Sequence, residues 1–238
     1  MDLKEIDILD DTISSHWYYR FKARAVARLL CKEKISTILD VGAGSGYFSR
    51  YLLSHSDAKE AWCVDISYES DSDYFEVEKP IQFRRSVNTS NADLVLLMDV
   101  LEHVDDDVGL LKEYVNKVPS GTRFLISVPA FQFLWSDHDV FLEHKRRYKL
   151  DQIELVAERA GLKVTHGSYY FGSVFPIAAT IRLVENIFSK NTQDPRSQLR
   201  RHPLIVNGIL STLCKAELPL MRFNRLGGLT AFCLAKSQ

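Results

Sequence analysis

The run Asp40-Val41-Gly42-Ala43-Gly44-Ser45-Gly46 puts one carboxylate directly before a turn with three glycines. Two further acids, Asp65 and Asp99, each end an apolar run downstream. Glycine lets a backbone turn tightly and approach a ligand with no Cβ in the way. The spacing is G-x-G-x-G, whereas a dinucleotide-binding G-x-G-x-x-G would need glycine where Tyr47 stands. A carboxylate before the turn repels phosphate and can meet a cationic ligand. Asp65 lies about 20 residues beyond the loop, where an acid can take both hydroxyls of a ribose. Asp99 leads into Val100-Leu101-Glu102-His103. One such acid alone would be read as a cap for the turn after its strand. Three at successive strand ends beside a glycine loop point to a binding cleft.

Those acids need strands to carry them. Apolar periodicity places strands near 37–41, 60–65, 80–85, 93–98, 123–128, 163–171 and 229–235. The run at 93–98 has the uniformly apolar look of a central parallel strand. Helices are expected at 13–32, from Tyr47 to about residue 53, and at 105–117 and 151–161. Ser45 is the expected cap of the second of these, and Asp151 and Gly161 bound the last. The acidic stretch 67–78 reads as a short helix with a loop. The alternation predicts an α/β fold, a doubly wound, mostly parallel, seven-stranded sheet. The segment 172–225 breaks the rhythm with two amphipathic helical patterns around a polar link at 191–202, and reads as a helical insertion before the last strand.

At this point the chain resembles a class I S-adenosylmethionine-dependent methyltransferase. More narrowly, it resembles the methyltransferase type 11 group, near the ubiquinone-biosynthesis O-methyltransferase-like proteins. The residues that carry the resemblance are Leu39 to Gly46, Val64-Asp65 and Asp99-Val100-Leu101-Glu102-His103-Val104. It implies a Rossmann-like methyltransferase fold over a single domain, 1–238, with S-adenosyl-L-methionine as cofactor and S-adenosyl-L-homocysteine as product. Asp40, Gly42, Ala43, Gly44 and Gly46 would line the methionine end of the cofactor, and Asp65 with Ile66 would hold the ribose. Asp99, Val100 and Leu101 would close over it. The family's usual acid at the end of the third strand is absent here, where Arg85-Ser86-Val87-Asn88 stands, so Ser86 or the Val87 backbone is left to meet the adenine.

Methyl transfer is an in-line displacement at a sulfonium, so positioning supplies much of the rate. A base is needed where the acceptor is a hydroxyl. His138 is the first candidate, with Asp137 or Asp139 to orient its ring, and His144 and His103 are alternates. Arg146 and Arg147 match an anionic group of a substrate, since a guanidinium suits carboxylate and phosphate. Tyr148 beside them and Trp17 on the N-terminal helix are the remaining substrate-binding candidates. The expected reaction is methylation of a small or lipid-like acceptor at oxygen. The alternatives are N- or C-methylation of a small metabolite, or a catalytically silent cofactor-binding scaffold of the same fold. A nicotinamide-dependent oxidoreductase is opposed by the missing G-x-G-x-x-G.

Composition sets outer bounds. A net charge of -1 over 238 residues gives no global pull toward nucleic acid, and no Asn-Pro-Pro-aromatic motif for methylating bases is present. Cys31, Cys63, Cys214 and Cys233 are scattered without metal spacing, so no metal is expected and the cysteines read as reduced. With no apolar signal core in the acidic residues 1–11, a cytoplasmic location is expected. Residues 190–225 hold seven basic residues against two acidic ones. Beside amphipathic helices this suits an anionic membrane surface or a lipid-like substrate, while a lid or homodimer face is the plainer reading.

Overall fold

The computed structural model describes residues 13–188 and 203–238. Strand β1 (Thr37–Val41) pairs in parallel with β2 (Glu60–Val64), and Asp40 lies opposite Cys63. The edge strand β3 (Ser72–Glu76) is antiparallel to β4 (Lys79–Arg84), which pairs in parallel with β2. On the other side of β1 come β5 (Leu94–Met98) and β6 (Arg123–Pro129), both parallel. Strand β7 (Leu162–Tyr170) forms the far edge, and β8 (Thr230–Ser237) runs antiparallel between β6 and β7. The order is β3-β4-β2-β1-β5-β6-β8-β7, and the winding reverses at β1/β5. Crevices at the carboxyl ends of such a reversal are where open α/β sheets bind ligands.

Among the described residues the sheet has eight strands rather than seven. The extra one lies in the stretch read as a short helix. Tyr74 and Phe75 of β3 are both exposed, so the strand shows no buried face in its pattern. Its turn uses Val77 and Glu78 at φ 50 and 62, with no glycine to mark a hairpin.

Helices cover both faces. Helix α1 (Trp17–Leu30) and α2 (Tyr47–His55) share one apolar cluster with Ile38 of β1. Helices α3 (Asp107–Val115) and, after the one-turn α4 (Asp137–Phe141), α5 (Leu150–Arg159) share the other with Leu39 and Val41. Alternate residues of β1 thus feed two cores, the mark of a doubly wound sheet. Two predicted caps differ. Gly46, at φ 71, precedes α2 and Ser45 makes no cap bond. Helix α5 starts one residue early, so Asp151 sits in its first turn, where its charge favours the helix dipole, and Lys149 takes the cap position. Gly161 ends α5 at φ 89, as expected.

The insertion consists of α6 (Phe175–Phe188) and α7 (Leu204–Glu217). Its polar link, with Asp194, Arg196, Arg200 and Arg201, lies outside the described residues, as does Lys190. Helix α7 is fastened to α1: the Trp17 amide donates to Asn207 Oδ1 at 3.0 Å, and Asn207 Nδ2 donates to the Ser15 carbonyl. Ile177 and Ile181 on α6, and Ile205 and Ile209 on α7, remain exposed. Among the described residues no helix is long and apolar enough to cross a membrane.

Candidate functional site

The glycine turn closes over the end of β2. The Gly42 amide donates to the Val64 carbonyl at 2.8 Å, and the Gly46 amide to the Ala43 carbonyl at 2.9 Å. Gly42 sits at φ 64, and a Cβ there would stand 2.7 Å from Val100 Cγ2. We expect Gly42→Ala to destabilise the fold by at least about 1–2 kcal/mol, the cost of a left-handed residue alone, read as a lower midpoint in urea unfolding. Asp40 is buried beneath the turn and accepts from the Ser49 hydroxyl at 2.7 Å. Burial pushes its carboxyl up to about 6, against the pull of the Ser49 bond. It braces the loop and helix α2 from below. Asp65 is half-buried: Oδ2 accepts from the Gly44 amide at 3.0 Å, and Oδ1 from the Ser67 amide. The Tyr68 hydroxyl donates to the Gly44 carbonyl, so the loop is gripped from both sides.

Asp99 has a partner that its residue type disguises. Lys22 of α1 is fully buried and forms an ion pair with Asp99 Oδ2, while its ammonium also donates to the Tyr18 hydroxyl. Burial alone would lower the Lys22 pKa, but the Asp99 carboxylate raises it. Burial would likewise raise Asp99, and Lys22 outweighs that and lowers it. Asp99 itself stands at φ 57, a conformation of order 1–3 kcal/mol uphill for a non-glycine residue. The ion pair and the Asp99 amide bond to the Ser127 carbonyl hold it there. Lys22 belongs to the stripe Tyr18, Lys22, Ala25, Val26, Leu29, and that i, i+4, i+7 placement was the signal in the sequence.

The loop after β6 folds around Asp139. This carboxylate is fully buried and accepts five bonds. Arg147 grips it with two parallel bonds, Nε to Oδ1 at 2.7 Å and an Nη to Oδ2 at 2.9 Å. The Ser136 amide and hydroxyl cap Oδ2, and His144 Nδ1 meets Oδ1 at 2.9 Å. Burial would push the Asp139 carboxyl up, but the His144 bond and the Arg147 guanidinium hold it well below the usual carboxylate range. The Lys145 amide donates to the Glu102 carbonyl at 2.7 Å, so this loop lies against the 3-10 turn Leu101–His103. The rings of His103 and His144 meet edge to face, 4.7 Å apart. Both oxygens of Glu102 are buried and have no hydrogen-bond partner among the described residues. Burial, then the Asp99 charge, pushes that carboxyl well up.

The predicted residues therefore separate. Asp40, Gly42, Ala43, Gly44, Gly46, Asp65, Asp99, Val100 and Leu101 share the carboxyl ends of β1, β2 and β5. Ile66 is 85% exposed and Ser86 is exposed, so both sit at the open rim beside Asp65. His138 is half-buried on α4 and Asp137 is exposed, while the inward acid, Asp139, orients His144 instead. Arg147 is held in the Asp139 bond rather than offered to an anion. Arg146 donates to the Val104 and Asp105 carbonyls, and Tyr148 is buried with its hydroxyl on Leu101 O and Asp107 Oδ2. Arg146 and Tyr148 thus support the 101–107 segment, and Arg147 the loop around Asp139. Trp17 is buried, edge-on to Phe171 at 5.5 Å, and belongs to the core.

The sequence from residue 14 to 167 matches the family model described as a methyltransferase domain. No curated protein matches significantly. Among solved structures, a chain from the Haloferax volcanii complex between the Trm112 methyltransferase activator and a candidate methyltransferase is similar in fold. It is 15% identical, with a TM-score of 0.58, over 99% of this chain and 93% of that one. Phosphoethanolamine N-methyltransferase 2 of Haemonchus contortus, solved with S-adenosyl-L-methionine, is 15% identical with a TM-score of 0.53, over 100% of this chain and 60% of that one. At these identities the likeness is one of fold. With the family model spanning more than half of its residues, the chain belongs to the methyltransferase domain family and has the α/β fold of the class I S-adenosylmethionine-dependent enzymes.

Proposed function

We propose that the protein transfers a methyl group from S-adenosylmethionine to an oxygen of a small or lipid-like acceptor. The observation that carries this reading is the placement of Asp65 and the Gly42–Gly46 turn at the same end of the sheet as the Asp139–His144 pair. Asp65 accepts from the Gly44 amide on Oδ2 and from the Ser67 amide and hydroxyl on Oδ1, which leaves Oδ2 acceptor capacity and lets a ribose hydroxyl replace that of Ser67, since a carboxylate offers roughly four lone-pair sites. That capacity suits a ribose diol. The acidic rim also suits a sulfonium better than a phosphate. The acceptor oxygen attacks the methyl carbon as the carbon–sulfur bond breaks, and its proton leaves through His144, whose ring Asp139 orients. The exposed apolar residues of α6 and α7 favour an acceptor with an apolar tail.

Calorimetric titration with S-adenosylhomocysteine, with NAD as a parallel ligand, tests the cofactor. Only the former should bind. Asp65→Ala removes bonds to a charged acceptor of about 1.5–3 kcal/mol and should weaken S-adenosylhomocysteine by about 10–100-fold. Wild-type affinity in that variant would take Asp65 out of the ribose role. A screen of phenols, acids and lipid-linked sugars against amines then separates oxygen from nitrogen as the acceptor.

A further inference from the structure

We propose that Glu102, His103 and His144 form a binding site for one divalent first-row transition metal. Cysteine spacing gave no hint of it, because the ligands come from two segments that only the fold unites. Glu102 and His103 are neighbours on the 3-10 turn, and the Lys145–Glu102 backbone bond brings His144 beside them. One ligand atom from each of the three lies within 4.8 Å of the other two. That is close to the span of about 4 Å across an ion bonded at about 2 Å to either side.

Three features favour a cation here. The first is an unsatisfied carboxyl. Asp99 is matched by Lys22, and Asp139 by Arg147, whereas the fully buried Glu102 carboxyl has no hydrogen-bond partner among the described residues. The second is orientation. His144 Nδ1 is engaged by Asp139, which leaves Nε2 as the ligating atom, and metal-bound imidazoles are commonly steered by such a carboxylate. The third is donor type. Two imidazoles and one carboxylate suit zinc, iron, manganese or cobalt rather than magnesium or calcium. Three protein ligands also leave positions open for an acceptor.

This inference deepens the methyl-transfer reading and rests on it for its chemical purpose. An acceptor hydroxyl on the metal releases its proton to solvent at lower pH. The oxygen then takes the methyl, and S-adenosylhomocysteine leaves. With Nδ1 on Asp139 and Nε2 on the metal, His144 would act as a ligand in place of taking the proton itself, which replaces the direct base role given to it above.

The test is a Co2+ titration of the full chain after removal of metals with EDTA, followed by visible absorption and calorimetry without any cofactor. One Co2+ should bind per chain, with the visible bands of a nitrogen- and oxygen-ligated ion. Glu102→Gln and His103→Ala should each abolish the bands. Asp139→Asn, which keeps all three ligands but loosens the His144 ring and the Arg147 pair, should weaken binding by about 10–100-fold. His55→Ala, at the exposed end of α2, should change nothing. Circular dichroism confirms that each variant is folded, and Co2+ should raise the melting temperature of the wild type but not of Glu102→Gln. Absence of stoichiometric binding, or unchanged binding in folded Glu102→Gln and His103→Ala, overturns the site. S-adenosylhomocysteine binding is measured separately. If it is present without Co2+ binding, the metal site fails alone; if it is absent with Co2+ binding, the methyl-transfer reading fails alone.

Discussion

His144→Ala should leave the affinity for S-adenosylhomocysteine at its wild-type value and lower kcat by roughly 10²–10⁴-fold, the usual contribution of a group that handles a proton in the transition state. The separation of the two readouts follows from the geometry. His144 approaches the 3-10 turn at the end of β5 from the loop after β6, whereas the glycine turn and Asp65 lie across the sheet at β1 and β2. Removing an exposed base would cost little else. This ring, however, is also one of the donors around Asp139, so a stability measurement must accompany the kinetics. His138→Ala is the matched control, because the half-buried His138 stands on α4 while the inward acid of that segment orients His144. A small effect at His144 together with a large one at His138 would return the role to the earlier position. Unchanged turnover in both would leave approximation alone as the source of rate.

Asp139→Asn should destabilise the protein by about 3–5 kcal/mol, the usual consequence of breaking a buried ion pair from one side. Arg147 would keep its charge in a site from which water is excluded, and the new amide nitrogen would face donors of Arg147 or Ser136. The pH dependence supplies a second check. The Asp139 carboxyl is held well below the usual carboxylate range in the folded protein. Its contribution is therefore complete above the unfolded value near 3.9 and fades as pH falls toward the folded one. Urea unfolding of the wild type should lose stability across that acid window, and Asp139→Asn should lose distinctly less. Equal slopes would mean that Asp139 carries no net stabilisation and that the Arg147 bond breaks even against desolvation.

Much of the sheet and the glycine loop could be read from the residues. Central strands are uniformly apolar because both faces are covered, and a ligand-binding turn declares itself through glycine. Strand β3 escaped because edge strands carry no buried stripe, and its acids resembled a solvated loop. The site divides in the same way. Asp40, Asp65 and Asp99 were visible as strand ends, but which acid of Asp137-His138-Asp139 turns inward was not. The capping pattern Ser136-x-x-Asp139 held that information, since a serine that caps with an acid three residues on points that acid back at the helix start. Lys22 was hidden by its type: an unpaired lysine belongs at the surface, and its partner lies 77 residues away. Glu102 appeared inside a recognised motif, yet no pattern in one sequence shows that a carboxyl will lack a partner.

The joint between α1 and α7 sets an order of events during synthesis. Trp17 leaves the ribosome early, but its amide bonds to Asn207, 190 residues later. At about 5–20 residues per second, α1 waits roughly 10–40 s for the helix that fastens it. Through that interval the Lys22–Asp99 ion pair is the earlier anchor available to it. A nascent chain stalled before α7 should therefore hold only the six strands β1 to β6, since β7 reaches the sheet through β8, with a loosely seated first helix open to protease until the last quarter of the protein arrives.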